Sequence, residues 1–213
     1  MSVDYLRVSV TDRCNLKCVY CHPLCGCDLV ERKEILSLEE IFRIVQLFVK
    51  CGIRKVRLTG GEPLVRKNIV YLVEKLAGIN GIEGLTLTTN GVLLESLATE
   101  LRNAGLQRVN VSVDSTERQS YKDITGFDLL PKVIRGIHKA LEAGLSPVKI
   151  NSVIIKGIND SQILPLAQMS VYLPIMVRFI EYCQTSIYTK PAGDYVPTSN
   201  IREIIERKHG TLS

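Results

Sequence analysis

The chain has 213 residues, with 27 basic against 22 acidic side chains and a net charge of +5. Hydrophobic residues make up 46% and charged residues 23%, which excludes a disordered, collagen-like or bare coiled-coil chain and leaves a globular one able to bury a core. Apolar runs such as Val153-Ile154-Ile155 fall short of the roughly 20 residues of a membrane span, Met1-Ser2-Val3-Asp4 opens no secretory leader, and the slight positive balance hints at anionic ligands without implying specific nucleic-acid binding; a cytoplasmic chain with no membrane partner is expected.

The first strand pattern covers residues 6–10. Behind it, five of the seven cysteines crowd between Cys14 and Cys27. An odd count without an export signal argues against a disulfide scaffold and for metal or redox chemistry. Cys51 and Cys183 stand apart and read as small buried apolar side chains. Ser37-Leu38-Glu39-Glu40 is a capping box, in which Ser and Glu satisfy each other's free N–H groups. It opens a helix with Ile41, Ile44, Val45 and Phe48 on one face, ending before Gly52. Further strands are expected at residues 55–59, 85–89, 108–113, 148–155 and 176–182. Helices start near Asn68, Leu93, Leu129, Asp160 and Ser199, with apolar faces such as Ile69/Leu72/Val73/Leu76 and Leu94/Leu97/Leu101. Gly105 and Gly144 fall where helix C-caps belong. Six βα units predict a parallel sheet with helices on its outer face. Six fall short of the eight of a closed barrel. The expected fold is therefore α/β, a partial (βα)6 barrel forming one domain over residues 1–213.

Side chains alternate faces along a strand. One alternation is apolar: Leu6/Val8/Val10, Val56/Leu58, Leu85/Leu87, Val109/Val111/Val113 and Val148/Ile150. That face must meet the helices. The other is polar: Arg7/Ser9/Thr11, Lys55/Arg57/Thr59, Thr86/Thr88/Asn90, Asn110/Ser112/Asp114 and Lys149/Asn151, with Arg178 joining from the sixth strand. A purely structural barrel fills its interior with Val, Ile and Leu. Hydroxyls, amides and cations there are costly to bury without a ligand. The pattern predicts a polar chamber for an anionic substrate.

The chemistry-bearing motif follows strand one. Cys14, Cys18 and Cys21 form Cys-x3-Cys-x2-Cys, with Tyr20 just before the last thiol. Three thiolates hold three irons of a [4Fe–4S] cluster, which takes four when fully ligated. An open metal position is a catalytic feature, since structural sites close their shell. The second strand ends in Thr59-Gly60-Gly61-Glu62-Pro63. Paired glycines at a strand end let a ligand approach the backbone closely, Pro63 fixes the turn, and Glu62 can accept bonds from a cationic amine.

These motifs resemble the radical S-adenosylmethionine (radical SAM) superfamily and, within it, the GTP 3′,8-cyclase family of molybdenum cofactor biosynthesis. The resembling blocks run from Leu6-Arg7-Val8-Ser9-Val10-Thr11-Asp12-Arg13-Cys14 through Thr59-Gly60-Gly61-Glu62-Pro63-Leu64, Thr88-Thr89-Asn90-Gly91 and Val109-Asn110-Val111-Ser112-Val113-Asp114. They continue in Val148-Lys149-Ile150-Asn151, Lys156-Gly157-Ile158-Asn159-Asp160 and Arg178-Phe179-Ile180-Glu181. The resemblance implies that Cys14, Cys18 and Cys21 ligate the cluster and that the methionine part of SAM chelates the open iron. It places Tyr20 on the adenosyl portion and Gly61 and Ser112 on SAM, with Gly60 and Glu62 beside them, while Cys183 stands where the family carries a SAM-contacting Met. It implies that Arg7, Arg57, Thr88 and Lys149 hold the nucleoside triphosphate, Arg57 and Lys149 serving catalysis as well. SAM would be cleaved reductively to a 5′-deoxyadenosyl radical that abstracts hydrogen from the substrate. The electron would come from a donor such as a flavodoxin or ferredoxin.

The sequence departs from that family in places. The family continues into a second module with three more cysteines, whereas no cysteine follows Cys183 and the chain ends Gly210-Thr211-Leu212-Ser213 in place of a Gly-Gly tail. A separate chain completing the open side of the barrel is accordingly an expected partner. Cys25 and Cys27 are additional to the family pattern and read as loop thiols, as His22 reads as a loop histidine. The departures leave radical generation intact and open the substrate. The alternatives are a radical SAM enzyme acting on a peptide or protein, and a zinc- or cluster-binding module without radical chemistry.

Overall fold

The computed structural model describes residues 3–21, 29–183 and 195–212. Alternating apolar residues place the strands: β1 Tyr5–Ser9, β2 Lys55–Thr59, β3 Gly84–Thr89, β4 Arg108–Ser112, β5 Val148–Ile154 and β6 Ile175–Glu181. Each lies within a residue or so of its expected span. The helices are α1 Leu38–Lys50, α2 Ile69–Ala77, α3 Leu94–Asn103, α4 Arg118–Thr125, α5 Leu130–Glu142, α6 Ile163–Tyr172 and α7 Thr198–His209. The strands form one six-stranded sheet in chain order, β1 to β6. The β1–β2, β2–β3 and β3–β4 pairs are parallel, with Arg7 opposite Arg57, Arg57 opposite Thr86 and Thr88 opposite Asn110. A parallel neighbour cannot be reached by a tight hairpin, so a helical crossover separates each pair. Helix α4 escapes the sequence reading because only Tyr121 and Ile124 of its eight residues are large and apolar.

The chain divides into two compact units. The first takes residues 1–15, 28–111 and 132–148. Its core packs Val56, Leu58, Leu85, Leu87, Val109 and Val111 from the strands with Leu72, Val73 and Leu76 of α2, Leu94 and Leu101 of α3, and Val133 and Ile137 of α5, all at most 1% exposed. Each such side chain contributes about 1.5–3 kcal/mol on leaving water. The second unit takes residues 16–27, 112–131 and 149–213. Its core comprises Ile150, Ile154 and Ile155 with Tyr121, Ile124, Ile163, Leu166 and Ile201. The division falls inside the cysteine motif, between Asn15 and Leu16.

The Ser37 capping box forms as expected: the Ser37 hydroxyl accepts from the Glu40 amide at 3.2 Å, and the Glu40 carboxylate accepts from the Ser37 amide at 2.7 Å. The face of α1 needs correction. Leu38, Ile41 and Val45 are its buried side, while Ile44 and Phe48 are 37% and 43% exposed. The buried stripe starts one turn earlier, at Leu38, and leaves Ile44 and Phe48 beside it. Cys51 and Cys183 are also corrected, because both thiols are exposed. Cys51 caps the C-terminus of α1 and Cys183 follows β6, two positions where the chain leaves its element at the surface. No described helix is long and apolar enough to cross a membrane.

Candidate active site

In the first unit, residues 11–14 are fastened to the end of β2 by main-chain bonds. The Val10 amide donates to the Thr59 carbonyl at 2.9 Å, the Gly61 amide to the Thr11 carbonyl at 2.8 Å, and the Glu62 amide to the Arg13 carbonyl at 2.8 Å. The two glycines make this approach possible. A Cβ on Gly60 would stand 2.4 Å from the Thr11 carbonyl oxygen, and one on Gly61 2.4 Å from that of Arg13. What comes close to these glycines is the chain's own cysteine segment.

Glu62 is 1% exposed. Its carboxylate accepts from the Leu64 amide at 2.9 Å, the Thr89 hydroxyl at 2.7 Å and the Asn90 amide at 2.6 Å. Burial raises its pKa, and these three bonds only partly oppose the rise. The side chain thus ties the end of β2 to the end of β3, which is a different use from the amine acceptor that the motif suggested. Asn90 extends the tie: its side-chain amide donates to the Asn15 side-chain oxygen at 2.7 Å and reaches the Cys14 thiol at 3.8 Å. The polar alternation placed Asn90 on the chamber side of the third strand, without foreseeing this tie to the cysteine segment.

In the second unit, the Lys17 and Val19 amides donate to the Thr125 and Ile124 carbonyls at the end of α4, at 3.0 and 2.9 Å. The Cys21 amide turns back onto the Cys18 carbonyl at 2.9 Å. The Tyr20 hydroxyl donates to Asp114 Oδ2 at 2.5 Å. Asp114 Oδ1 accepts from the Val153 amide at 2.7 Å, and the residue is 4% exposed. Burial pushes the Asp114 carboxyl up to about 6, against the pull of those two bonds. Burial, and then the Asp114 charge, hold the Tyr20 phenol well above its usual range. Asp114 belonged to the polar alternation, but its partner, in a different segment, left no mark in the local pattern.

The polar alternation is real, and its burial varies along the sheet. Thr86 and Asn110 are 2% and 1% exposed, with Thr86 donating to the Val56 carbonyl at 3.3 Å and Asn110 to the Thr88 hydroxyl at 3.4 Å. Arg7 is exposed, and Arg57 and Thr88 are half-buried. Arg7 and Arg57 are register partners and so share one face of the β1–β2 pair. The Arg57 guanidinium carbon lies 5.2 Å from the Tyr5 ring centroid, a cation–π distance. In the second unit, Lys149 and Asn151 are half-buried on the same side of β5, and Arg178 donates to the Asn151 oxygen at 2.6 Å. Ser112 is half-buried at the end of β4. His22, Cys25 and Cys27 lie outside the described residues.

Residues 8–169 match the radical SAM superfamily. The chain belongs to that superfamily. Among curated proteins it is 47% identical over 212 residues to the GTP 3′,8-cyclase of Thermodesulfovibrio yellowstonii, covering 99% of this chain and 66% of that one. The GTP 3′,8-cyclase of Pelotomaculum thermopropionicum is likewise 47% identical over 211 residues, covering 99% and 65%. This chain therefore spans just under two thirds of the length of these relatives. Among solved structures, Streptococcus suis SuiB bound to its precursor peptide SuiA superposes with a TM-score of 0.77 at 20% identity, over 97% of this chain and 45% of that one. Methylornithine synthase superposes at 0.73 with 17% identity, over 98% and 63%. The sheet order and these neighbours agree on the α/β partial-barrel fold of radical SAM enzymes.

The superfamily works with a [4Fe–4S] cluster and SAM, and the donor set here suits the cluster. Cys14, Cys18 and Cys21 are free of disulfides, with Cys14 and Cys21 exposed and Cys18 half-buried. Soft thiols are the ligands that iron–sulfur clusters take, and an N–H reaching a sulfur, as Asn90 reaches Cys14, is a known control on cluster potential. Among the described residues, no three His, Cys, Asp or Glu side chains are preassembled around one metal position.

Proposed function

We propose that this chain is a radical SAM enzyme of the GTP 3′,8-cyclase type, acting on GTP or a related purine nucleotide. The observation that carries the reading is the match to the cyclases over 99% of this chain. Cys14, Cys18 and Cys21 would hold a [4Fe–4S] cluster, and Gly60, Gly61, Ser112, Tyr20 and Cys183 are assigned to SAM. The bound pair supplies reductive C–S cleavage and a 5′-deoxyadenosyl radical that takes a hydrogen atom from the substrate. Glu62 serves this site by fixing the backbone that carries Gly61. Arg7 and Arg57, paired in register on one face, have the charge and fork geometry to bind phosphate oxygens. Thr88 and Lys149 are assigned to the same substrate. The electron comes from a separate donor such as a flavodoxin or ferredoxin. A cytoplasmic setting suits this oxygen-sensitive chemistry.

The test is anaerobic reconstitution followed by SAM cleavage against nucleotides and peptides, with product mass spectrometry. About four irons per chain are expected, together with 5′-deoxyadenosine release that depends on Cys14, Cys18 and Cys21. Isothermal titration should show GTP binding weakened roughly 10- to 100-fold by Arg57→Ala. Nucleotide-independent turnover of a peptide would move the substrate to that class. Zinc without iron would reduce the chain to a metal-binding module.

A further inference from the structure

Tyr20 stands between two of the three motif thiols, and its ring is held from two sides. On one side, Tyr20 and Val19 line a crevice of only about 10 Å³ with Ile155, Ile158 and Tyr182. That volume is at the lower limit for a single water, so the ring packs against its apolar neighbours. On the other side, its hydroxyl donates to Asp114 at 2.5 Å.

The far end of that bond is fixed. Asp114 takes the Val153 amide on its other oxygen at 2.7 Å. Its carbonyl accepts from the Asn159 side chain at 2.8 Å, and the same Asn159 nitrogen donates to the Val153 carbonyl at 2.9 Å. The Asn159 oxygen in turn accepts from the Ile155 amide at 2.8 Å, and Asn159 is fully buried. Asp114, the end of β5 and the turn through Asn159 form one hydrogen-bonded platform. The Lys17 and Val19 amides on α4, and the turn from the Cys21 amide to the Cys18 carbonyl, also shape the Cys18–Cys21 segment.

We propose that Asp114 is a positioning residue: through its bond to the Tyr20 hydroxyl it fixes the Tyr20 ring and, with it, the Cys18–Cys21 turn in the geometry that the cluster and SAM require. Its contribution to the enzyme rests on reading that loop as the cluster site; its hold on the loop does not. Asn in its place is a poor substitute. A carboxylate accepts from both Tyr20 and Val153, whereas an amide that keeps the Val153 bond on its one oxygen can meet the phenol only by donating to it, which removes the charge-assisted phenol-to-carboxylate bond and leaves a weaker, reversed one.

The test compares wild type with Asp114→Asn, Tyr20→Phe and the double variant, the second keeping the ring and the Asp114–Val153 bond should the first fold poorly. In metal-free protein, alkylation of individual thiols is followed by peptide mass spectrometry. Cys18 and Cys21 should react about five- to tenfold faster in each single variant, the range set by one lost hydrogen bond, while Cys14 and Cys51 keep their wild-type rates. A general loosening would speed all four thiols alike and would overturn the proposal, as would unchanged rates at Cys18 and Cys21. In reconstituted protein, SAM affinity should fall by a similar factor in each single variant and no further in the double variant, because both changes remove the same bond. Additive losses would show that Asp114 acts by another route. Wild type that takes up no iron would sink the cluster reading alone, and the alkylation rates would still decide whether Asp114 holds the loop.

Discussion

Residues 11–14 are held by main chain, with carbonyls of Thr11 and Arg13 taken by the Gly61 and Glu62 amides and two glycines clearing the space. Residues 17–20 have two main-chain bonds to α4, and the side chain that matters most there, Tyr20, is packed against Ile155, Ile158 and Tyr182 and anchored by its phenol–carboxylate bond. Both regions use a buried carboxylate, but differently. Glu62 spreads its two oxygens over three donors and knits the ends of β2 and β3, while Asp114 offers one oxygen to the main chain and one to the loop. The first arrangement resists change in any single bond and tolerates no added volume. The second adds a side-chain hydrogen bond to a ring already packed against Ile155, Ile158 and Tyr182. The stretch before the first thiol is therefore built as scaffold, and the stretch between the second and third as a side-chain clamp.

The strongest test of this contrast adds one methyl group to the scaffold. Gly61→Ala places a carbon 2.4 Å from the Arg13 carbonyl oxygen and 2.7 Å from the Asp12 carbonyl oxygen, both rigid backbone. Separating the two segments should cost on the order of 3–4 kcal/mol, read as a lower urea midpoint, and iron uptake should fall with it. Wild-type stability in this variant would show that residues 11–14 can swing away freely.

The clamp should reveal itself through pH. The Asp114 carboxyl sits near 6 in the fold against 3.8 for an unperturbed group. Between those values the folded protein keeps a proton that the unfolded chain has released, so its stability falls as pH rises through the window and is lowest above it. At ~1.4 kcal/mol per unit, a rise of roughly two units corresponds to at most about 3 kcal/mol. Asp114→Asn removes the titrating group. Urea melts from pH 4 to 7 should therefore show the stability difference between wild type and Asp114→Asn changing by up to that amount, with the relative advantage of wild type greatest at the acid end. Parallel pH profiles would mean that the ionised carboxylate is well solvated.

Glu62→Gln separates the two carboxylates further. Gln can keep the Leu64 and Thr89 bonds on one oxygen but turns its NH2 toward the Asn90 amide. One donor left facing another in a buried site should cost about 2 kcal/mol by urea melt. The loss should stay with global stability, leaving the alkylation rate of Cys18 relative to Cys51 unchanged in the folded protein.

How much of this was legible follows from the range of each interaction. Strand positions show in local alternation, and β2 was placed to the residue because Val56 and Leu58 alternate with charged neighbours. The in-register facing of Arg7 and Arg57 follows from the same parity. Helix α4 was invisible because its buried face is narrow, with Tyr121 and Ile124 its only large apolar residues among polar neighbours. The phase of α1 was misread because Ile44 and Phe48 match the core residues in hydropathy and differ only in direction. Gly-Gly-Glu-Pro was read as a motif that receives a ligand, and its internal partners were missed. Most of those partners are main-chain atoms, of Leu64, Arg13 and Asn90, and main-chain partners leave no trace in residue identity; the Thr89 hydroxyl is a side-chain partner, remote from Glu62 in sequence.

The smallest expected effect lies outside both regions and fixes the zero of the comparison. Cys51 looked like a buried thiol, and removing one from a packed core would leave a void or an unsatisfied hydroxyl. The structure puts it in water at the C-cap of α1, where the bonds its amide makes to the Leu47, Phe48 and Val49 carbonyls do not involve the thiol. Cys51→Ser keeps those main-chain bonds and exchanges one exposed polar atom for another. Stability should stay within about 0.5 kcal/mol of wild type, the ordinary range for a surface change. Iron content should not move either, since no step assigned to the site uses this side chain. The wild-type thiol should react with a soluble maleimide in native buffer without denaturant. A loss of 2 kcal/mol or more, or a thiol that reacts only after unfolding, would return Cys51 to the core and remove the internal standard against which the Cys18 and Cys21 rates are read.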